Sequence, residues 1–450
     1  MGVSEIYSRG RCKGNSICMV EALKIAIDRG YEPSPEEIKE ISAYLGQPTK
    51  KIEAFEGRYL DVFTRLIQKN CIITGHGELC IYSWNPRAYI RYFPVSIDAV
   101  GTILFIDHNG KVKTLAYPSH RTHDIEGHRV KILDPEITPI IEITKRIDGY
   151  PITFYYNPII KRWIPATRYL LHNMIYWGRR VEVVDIEEII NPYARLADEI
   201  AERQGLYNKL KGYDDWTFTL ILKVPEPAIL KPNIELYDAS DAELILLNAR
   251  KPDGELLTVK ESSKLINWTH VPIIELKLDN KEELRSFIDK CRLDLEYRST
   301  MLRYRNDEVF RPYTLEIKSK MYPEAMKVKY SSDPKSLLIL TSYGYGEHAI
   351  NLLINYADIK NAGMELVKLY GELENKIKKI IDSDQIIKAL KIFNLEHQLK
   401  GEVERARRKG DITRFLRKLV ALLAGETIYE AKENISKLLK LLSKEQHQIG

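Results

Sequence analysis

Pro139-Ile-Ile-Glu-Ile-Thr-Lys145-Arg146-Ile-Asp148-Gly149-Tyr-Pro-Ile-Thr-Phe-Tyr-Tyr156-Asn157, followed by Trp163-Ile-Pro-Ala-Thr-Arg168, is the stretch around which the chain is read. Ile141 and Ile143 alternate with polar residues as in a half-buried strand, and Ile152, Phe154 and Tyr156 repeat that period beyond Asp148-Gly149. Asp-Gly between two such runs predicts a tight connection, because glycine admits backbone angles that other residues avoid. Lys145 and Arg146 stand just ahead of Asp148, so bases and an acid meet at the rim of a sheet. The plain alternative is a surface hairpin with solvated charges.

Outward from this stretch, 450 residues suit roughly two to four domains. Hydrophobic residues make up 44% and charged residues 29%, the balance of a globular protein. No apolar run is long enough to cross a bilayer. The start, Met1-Gly-Val-Ser-Glu-Ile-Tyr7, lacks the apolar core of a signal peptide, so a cytoplasmic protein without a membrane partner is expected. The net charge of +5 permits a nucleic-acid partner without requiring one. Abundant Lys, Glu and Ile with scarce Gln lean towards a thermophile. Cys12, Cys18, Cys71, Cys80 and Cys291 form no Cys-x-x-Cys pair and read as buried reduced thiols. His120 and His123 have no evident third partner, so no metal is assigned.

The organisation expected is helical, mixed, helical, an α+β protein with domains over 1–70, 71–335 and 336–450. In the first, Ile17 to Ile27 reads as a helix. Ser34 caps a second with Glu36 and Glu37 in its first turn, and a third carries Ile52, Phe55, Leu60 and Phe63. These helices read as a packing module rather than a nucleic-acid reader. Gly101 to Pro118 is a hairpin turning at Asp107, Asn109 and Gly110. Ser119 to Asp124 follows, rich in phosphate-capable donors. Tyr169 to Leu210 reads as largely helical. Thr217–Leu222, Ile234–Tyr237, Leu244–Arg250, Pro312–Ile317 and Ala325–Lys329 read as strands, and the segment from Glu282 as a helix. Helices are expected over 346–357, 361–378, 382–389, 396–409, 411–424 and 427–443. The basic run Arg405, Arg407, Arg408 and Lys409 is the candidate contact for a nucleic-acid backbone; the plainer reading is a solvated helix end.

In order and spacing, these pieces resemble the covalent nucleotidyltransferase superfamily, specifically ATP-dependent RNA ligases. The resemblance spans about residues 70–335. It runs from the Gly101–Val112 hairpin through Asp148-Gly149 and Ala166-Thr-Arg168 to Thr217-Phe-Thr-Leu-Ile-Leu-Lys-Val-Pro-Glu-Pro227. It then takes in Leu246-Leu-Asn-Ala-Arg250 with Gly254-Glu255, and Lys327-Val-Lys329. It implies an antiparallel-sheet nucleotidyltransferase domain, unlike an ATP-grasp, flanked by the helical regions. It also implies ATP and Mg2+ as cofactors if the chain is active. In such ligases an unprotonated lysine attacks the α-phosphate of ATP, giving lysine–AMP. The adenylate passes to an RNA 5′-phosphate, and a 3′-hydroxyl displaces AMP. Carried over, the resemblance places Arg146, Gly149, Arg168, Lys327 and Lys329 at nucleotide phosphates, the two lysines sharing one face of a strand.

The chain departs from that pattern where chemistry is done. Arg146 stands in the nucleophile's place, and a guanidinium stays protonated. Lys145 lies one residue earlier, on the opposite strand face unless a bulge re-aims it. Ile221 holds the place of one expected carboxylate. The Glu-Gly pair expected near 311–317 is absent, and Glu316 is the partial substitute there. Lys145, Asp148 and Glu316 are therefore the candidate catalytic residues. Three readings follow: a pseudoenzyme that binds RNA or nucleotide phosphate, an active divergent ligase using Lys145, or a scaffold that binds a protein partner through its helical regions.

Overall fold

The computed structural model of the protein describes residues 12–45, 67–84, 95–127, 130–306, 311–353 and 357–443. The expected helix around Ile52 to Phe63 lies outside them. The chain divides into two compact units, Met1–Cys291 with Tyr297–Lys318, and Arg292–Glu296 with Ser319–Gly450.

The first unit opens with α1 (Ser16–Asp28), whose cap Asn15 accepts from the backbone of Ile17 and Cys18. In α2 (Pro35–Leu45), Ser34 and Glu37 satisfy each other's backbone N–H groups, a reciprocal cap foreshadowed by the Ser34-x-x-Glu37 spacing. The strands β1 (Ile67–Thr74) and β2 (Gly77–Trp84), the short α3 (Val95–Asp98), β3 (Val100–Asp107) and β4 (Val112–Ala116) follow. The four strands form one antiparallel sheet in the order β1-β2-β3-β4. The alternation of β2 and β3 is two-sided. Cys80, Tyr82, Leu104 and Ile106 pack with α1, while Leu79, Ile81 and Ile103 pack with Tyr155, Ile164 and Ala166 of later strands.

The decisive segment does not form a hairpin. After β5 (His123–Asp124), β6 (Ile140–Arg146) joins β5, β13 and β14 in a sheet ordered β5-β14-β13-β6, with β13 at Ser299–Tyr304 and β14 at Thr314–Lys318. In contrast, β7 (Tyr150–Asn157) and β8 (Arg162–Thr167) join β11 (Thr217–Lys223) and β12 (Glu243–Arg250) in a sheet ordered β12-β11-β7-β8. Ile147-Asp148-Gly149 is thus the crossover between two sheets. Gly149 is needed here for closeness rather than for an unusual φ. A Cβ there would lie 2.6 Å from both Ile221 Cγ2 and the Leu222 carbonyl oxygen.

Each sheet buries its outer face under helices. The β7/β11/β12 sheet packs Ile152, Phe154, Phe218 and Leu220 against Leu196, Ala197 and Ile200 of α4 (Pro192–Arg203), beside the short α5 (Leu206–Lys209). The β6/β13/β14 sheet packs Ile143, Leu302, Leu315 and Ile317 against Leu284 and Ile288 of α7 (Lys281–Arg292). The helix α6 (Val259–Ile266) carries a Thr258/Glu261 capping box.

Several expectations fail. Tyr169 to Ile190 is not helical: β9 (Met174–Trp177) and β10 (Arg180–Val183) form a separate hairpin. Its turn relies on Gly178 at φ +60°. Ile234–Leu236 is a single 3-10 turn that Asn233 caps by accepting from Glu235 N–H, rather than a strand. The cysteines are not all reduced thiols. Cys12 joins Cys18, Cys71 joins Cys80, and Cys291 is free and buried. Linear spacing hid this. Antiparallel register sets Cys71 directly opposite Cys80, and the first turn of α1 brings Cys18 back to Cys12.

The second unit is helical: α8 (Tyr322–Ser331), α9 (Pro334–Ser342), α10 (Gly346–Leu352), α11 (Ala357–Ile380), α12 (Gln385–Ile392), α13 (Glu396–Lys409), α14 (Thr413–Leu423) and α15 (Ile428–Ser443). The last six match the sequence reading closely, because apolar residues recur at helical spacing. Ile428, Ala431, Ile435, Leu438 and Leu442 are all buried in one core with Leu366, Leu373, Phe415 and Leu419. The expected Ala325–Lys329 strand is instead part of α8. Buried Ala325 and Val328 are three apart, a helical interval that a short Lys-Val-Lys alternation masked. No helix is long and apolar enough to cross a membrane, among the described residues.

Thiol titration of the unreduced, denatured protein is expected to find one reactive cysteine, Cys291. Five thiols would show that neither bridge forms. Reduction is expected to lower unfolding stability by about 2–4 kcal/mol per bridge, measured by chemical denaturation.

Candidate functional site

Between the two sheets joined by Ile147-Asp148-Gly149 lies a cavity of about 420 Å3. One wall follows from strand register. Arg146, Ser299 and Lys318 sit opposite one another across β6, β13 and β14, as do Thr144, Met301 and Glu316. Residues directly opposite share a face, and Arg146, Met301, Glu316 and Lys318 line the cavity. The facing wall is Pro151 and Thr153 of β7 with Thr219 and Ile221 of β11. The remaining rim is Ser119 to Thr122, Trp84 and Arg168. Ile221 packs with Ile245, Val259 and Val271, so the place expected for a carboxylate is apolar.

Lys145 follows the alternation of its strand. The β6–β13 ladder is regular from Arg146↔Ser299 to Glu142↔Arg303, so no bulge occurs at Lys145. Its Nζ donates to Thr300 Oγ1 (3.3 Å) and lies 5.3 Å from the Tyr297 ring centroid. Thr300 shares its strand face with buried Leu302, which packs under α7, rather than with Met301 of the cavity wall. Lys145 contributes to the cavity's edge, but its amine is turned to the other side of the sheet.

Arg146 does reach the cavity, where its Nη1 donates to Glu316 Oε1 (2.5 Å). Glu316 also accepts from Ser299 Oγ (2.8 Å) and Thr122 Oγ1 (3.3 Å). Burial alone would raise the Glu316 carboxyl; the Arg146 charge and the Ser299 hydrogen bond outweigh it and hold the carboxyl below its ordinary 4.5. Asp148 is buried beneath the crossover. It accepts from Arg298 Nη1 (2.8 Å) and the Ile229 N–H (3.0 Å), so the predicted acid serves as an anchor. Gly149 sits beside it against Leu222.

Arg168 is half-buried on the rim and has no hydrogen-bond or ion-pair partner among the described residues. Burial lowers its pKa, with Arg146 nearby adding to the shift, yet a guanidinium remains charged at neutral pH. Gly101 makes room for this segment: at φ +98° its missing Cβ would lie 3.1 Å from the Arg168 Cα.

Sequence reading missed Arg121, Arg298 and Lys318. Arg121 lies 3.7 Å over the Trp84 ring, within the polar segment already singled out. Lys318 pairs with Asp124 (2.5 Å). Arg298 carried no sequence signal, since its role follows from facing Asp148. In all, six Lys or Arg and two carboxylates line the cavity.

Lys327 and Lys329 do not share a strand face. They lie in α8 of the second unit, where residues two apart point in different directions. Lys327 pairs with Glu324 (3.2 Å), and Lys329 lies 5.2 Å from the Tyr330 ring centroid. In the basic run, Arg407 donates to the carbonyls of Ile381 and Ser383, each at 2.7 Å, and so fastens α13 to a preceding turn. Arg405, Arg408 and Lys409 are exposed.

The donor set does not fit Mg2+. Asp124 and Glu316, the two acids lining the cavity, are each taken by a cation, and an ion that prefers unpaired carboxylate oxygens would meet a lining in which Lys and Arg outnumber the acids. Elsewhere, Cys71, Glu78 and Cys80 bring ligand atoms together, but both sulfurs are in a disulfide and offer no thiolate.

No protein-family model and no curated protein matches the chain. Solved structures that match include ATP-dependent RNA and DNA ligases. An archaeal ATP-dependent RNA ligase aligns with a TM-score of 0.38 and 12% identity, over 76% of this chain and 82% of that one. A protein of Aquifex aeolicus described as an ATP-dependent DNA ligase aligns with a TM-score of 0.36 and 16% identity, over 68% and 71%. A Naegleria gruberi RNA ligase mutant with AMP and Mn aligns with a TM-score of 0.29 and 11% identity, over 59% and 81%.

Glu316→Gln is expected to lower unfolding stability by about 1–3 kcal/mol at neutral pH, since it weakens a charged hydrogen bond and leaves Arg146 unbalanced. The Glu316 carboxyl is depressed in the fold, so its contribution is complete above its ordinary 4.5 and fades as pH falls through its lower folded value. Melting temperatures of wild type and variant should therefore converge in acid. A gap that persisted at low pH would contradict the assignment. Gly149→Ala is expected to cost about 1–3 kcal/mol by overpacking the Leu222 backbone, as read by denaturant midpoint.

Proposed function

We propose that this chain is an RNA-ligase-like protein of nucleotidyltransferase fold whose cleft binds the phosphate of RNA or of a nucleotide, and that it does not form a lysine–AMP intermediate. One observation carries the reading. A guanidinium, Arg146, holds the cavity position beside the crossover, while the neighbouring amine of Lys145 is turned to the opposite face of β6. Covalent nucleotidyl transfer needs a lone pair at that position, which Arg146 does not supply.

The charge balance supports the binding half of the reading. Arg168, half-buried and without an ion-pair partner among the described residues, feels Glu316 only at longer range and is costly unless an anion meets it. Arg146, Arg298 and Lys318 are each matched by one carboxylate, so Arg168 is where a phosphate gains most. The phosphate meets guanidinium groups directly, in a cavity whose own acids are already neutralised.

Incubation with α-labelled ATP and Mg2+ or Mn2+ is expected to leave no label on the protein. A label that disappears in Lys145→Ala would establish the active-ligase reading instead. Single-stranded RNA is expected to bind in a fluorescence-anisotropy titration, with Arg168→Ala weakening it about tenfold or more through loss of a charge-assisted contact. A wild-type protein that binds neither RNA nor nucleotide would leave the scaffold reading.

A further inference from the structure

The β9–β10 hairpin stands out from the rest of the first unit. Its tip exposes Trp177 (77% accessible), followed by Gly178, Arg179 and Arg180, all exposed. Strand pairing sets Trp177 directly opposite Arg180, so an indole and a guanidinium share one face of the ribbon, with Glu182 further along it. Tyr176, Trp177 and Val183, all exposed, are gathered on this one ribbon rather than scattered over the surface.

The hairpin connects to the cleft through a short series of contacts. Arg168 lines the cavity, and Tyr169 follows it, exposed. The Tyr169 carbonyl accepts from Asn70 Nδ2 (3.2 Å) on edge strand β1. Two residues along β1, on the same strand face, Gln68 donates to the hydroxyl of Tyr176. Tyr176 adjoins Trp177. Tyr169 and Tyr176 thus lead from Arg168 to the ribbon, where strand alternation turns Tyr176 to one face and Trp177 with Arg180 to the other, around the tip.

We infer that this path is a binding track for a single strand of nucleic acid, which stacks a base on Trp177, sets its backbone against Arg179 and Arg180, and passes Tyr169 towards Arg168. This rests on the phosphate-binding reading of the cleft and extends it to a site that reading does not include. Stacking on an exposed ring together with guanidinium contacts to phosphate is the chemistry that single strands use, and unpaired bases are required for it. The two arginines at the tip and the hydrogen-bonded series that ties the hairpin to Tyr169, next to Arg168, favour this occupant over an apolar protein surface.

The test is a titration of a 5′-labelled twelve-nucleotide single-stranded RNA and of its duplex, at several salt concentrations. The proteins compared are full-length wild type, Trp177→Ala, Arg179→Ala/Arg180→Ala and Arg168→Ala. Trp177→Ala is expected to weaken single-strand binding about tenfold and duplex binding little. The double-arginine variant is expected to reduce the slope of log affinity against log salt by about 1.4, because two phosphates are no longer neutralised. Unchanged melting temperatures would show that the exposed tip has no structural role. If the hairpin variants bind like wild type while Arg168→Ala is weakened, the track is refuted and the cleft reading stands. If Trp177→Ala weakens the duplex equally, base stacking is refuted. If wild type binds no RNA at low salt, the track is refuted, and the cleft reading falls with it only if nucleotide does not bind either.

Discussion

The pair formed by buried Asp148 and Arg298 holds the first unit in its arrangement. Asp148 sits in the three-residue crossover from β6 to β7 and accepts at once from Arg298, at the head of β13, and from the Ile229 backbone. The two sheets are thereby fixed at a set separation, with Gly149 letting the crossover pass against Leu222. A carboxylate removed from water is costly unless its oxygens are matched, and here both are. Without this clamp the two walls of the cavity would have no common reference.

Given those walls, the character of the cavity follows from which strand face each residue occupies. Arg146 looks inward, and the Lys145 amine meets Thr300 on the opposite strand face. The acids that do look inward are already paired. The excess positive charge comes to rest on the rim, at Arg168, where the backbone is held close to Gly101. Cavity, crossover and rim are therefore parts of one electrostatic arrangement, suited to holding an anion and poorly suited to donating an electron pair to one.

Two buried charged groups elsewhere in the first unit are matched in the same way. Arg250 is almost fully buried, donates to the carbonyls of Tyr117 (2.7 Å), Gly254 (2.7 Å) and Pro118 (3.2 Å), and stacks on the Tyr117 ring. Asp98 accepts from Ser16 and Tyr117 and pairs with Arg311. Each satisfied group ties distant segments together, as the Asp148 clamp does, and each pairing is specific because an unmatched charge there would be expensive.

Periodicity was enough to read the helices of the second unit, the cap at Ser34, the hairpin from Gly101 to Pro118 and the strand from Thr217, because each is a local pattern of apolar spacing and turn chemistry. It was also enough to place Lys145 and Arg146 on opposite faces, since strand alternation is a property of the backbone alone. Tertiary structure decided the rest. Local sequence holds no record of which strand pairs with which, so the break between β6 and β7 looked like a hairpin. Nor could spacing reveal the partner of Asp148, the bridges between cysteines, or the helix that took up Lys327 and Lys329. Those depend on residues far apart in the chain being brought together, and only the packed sheets and helices do that.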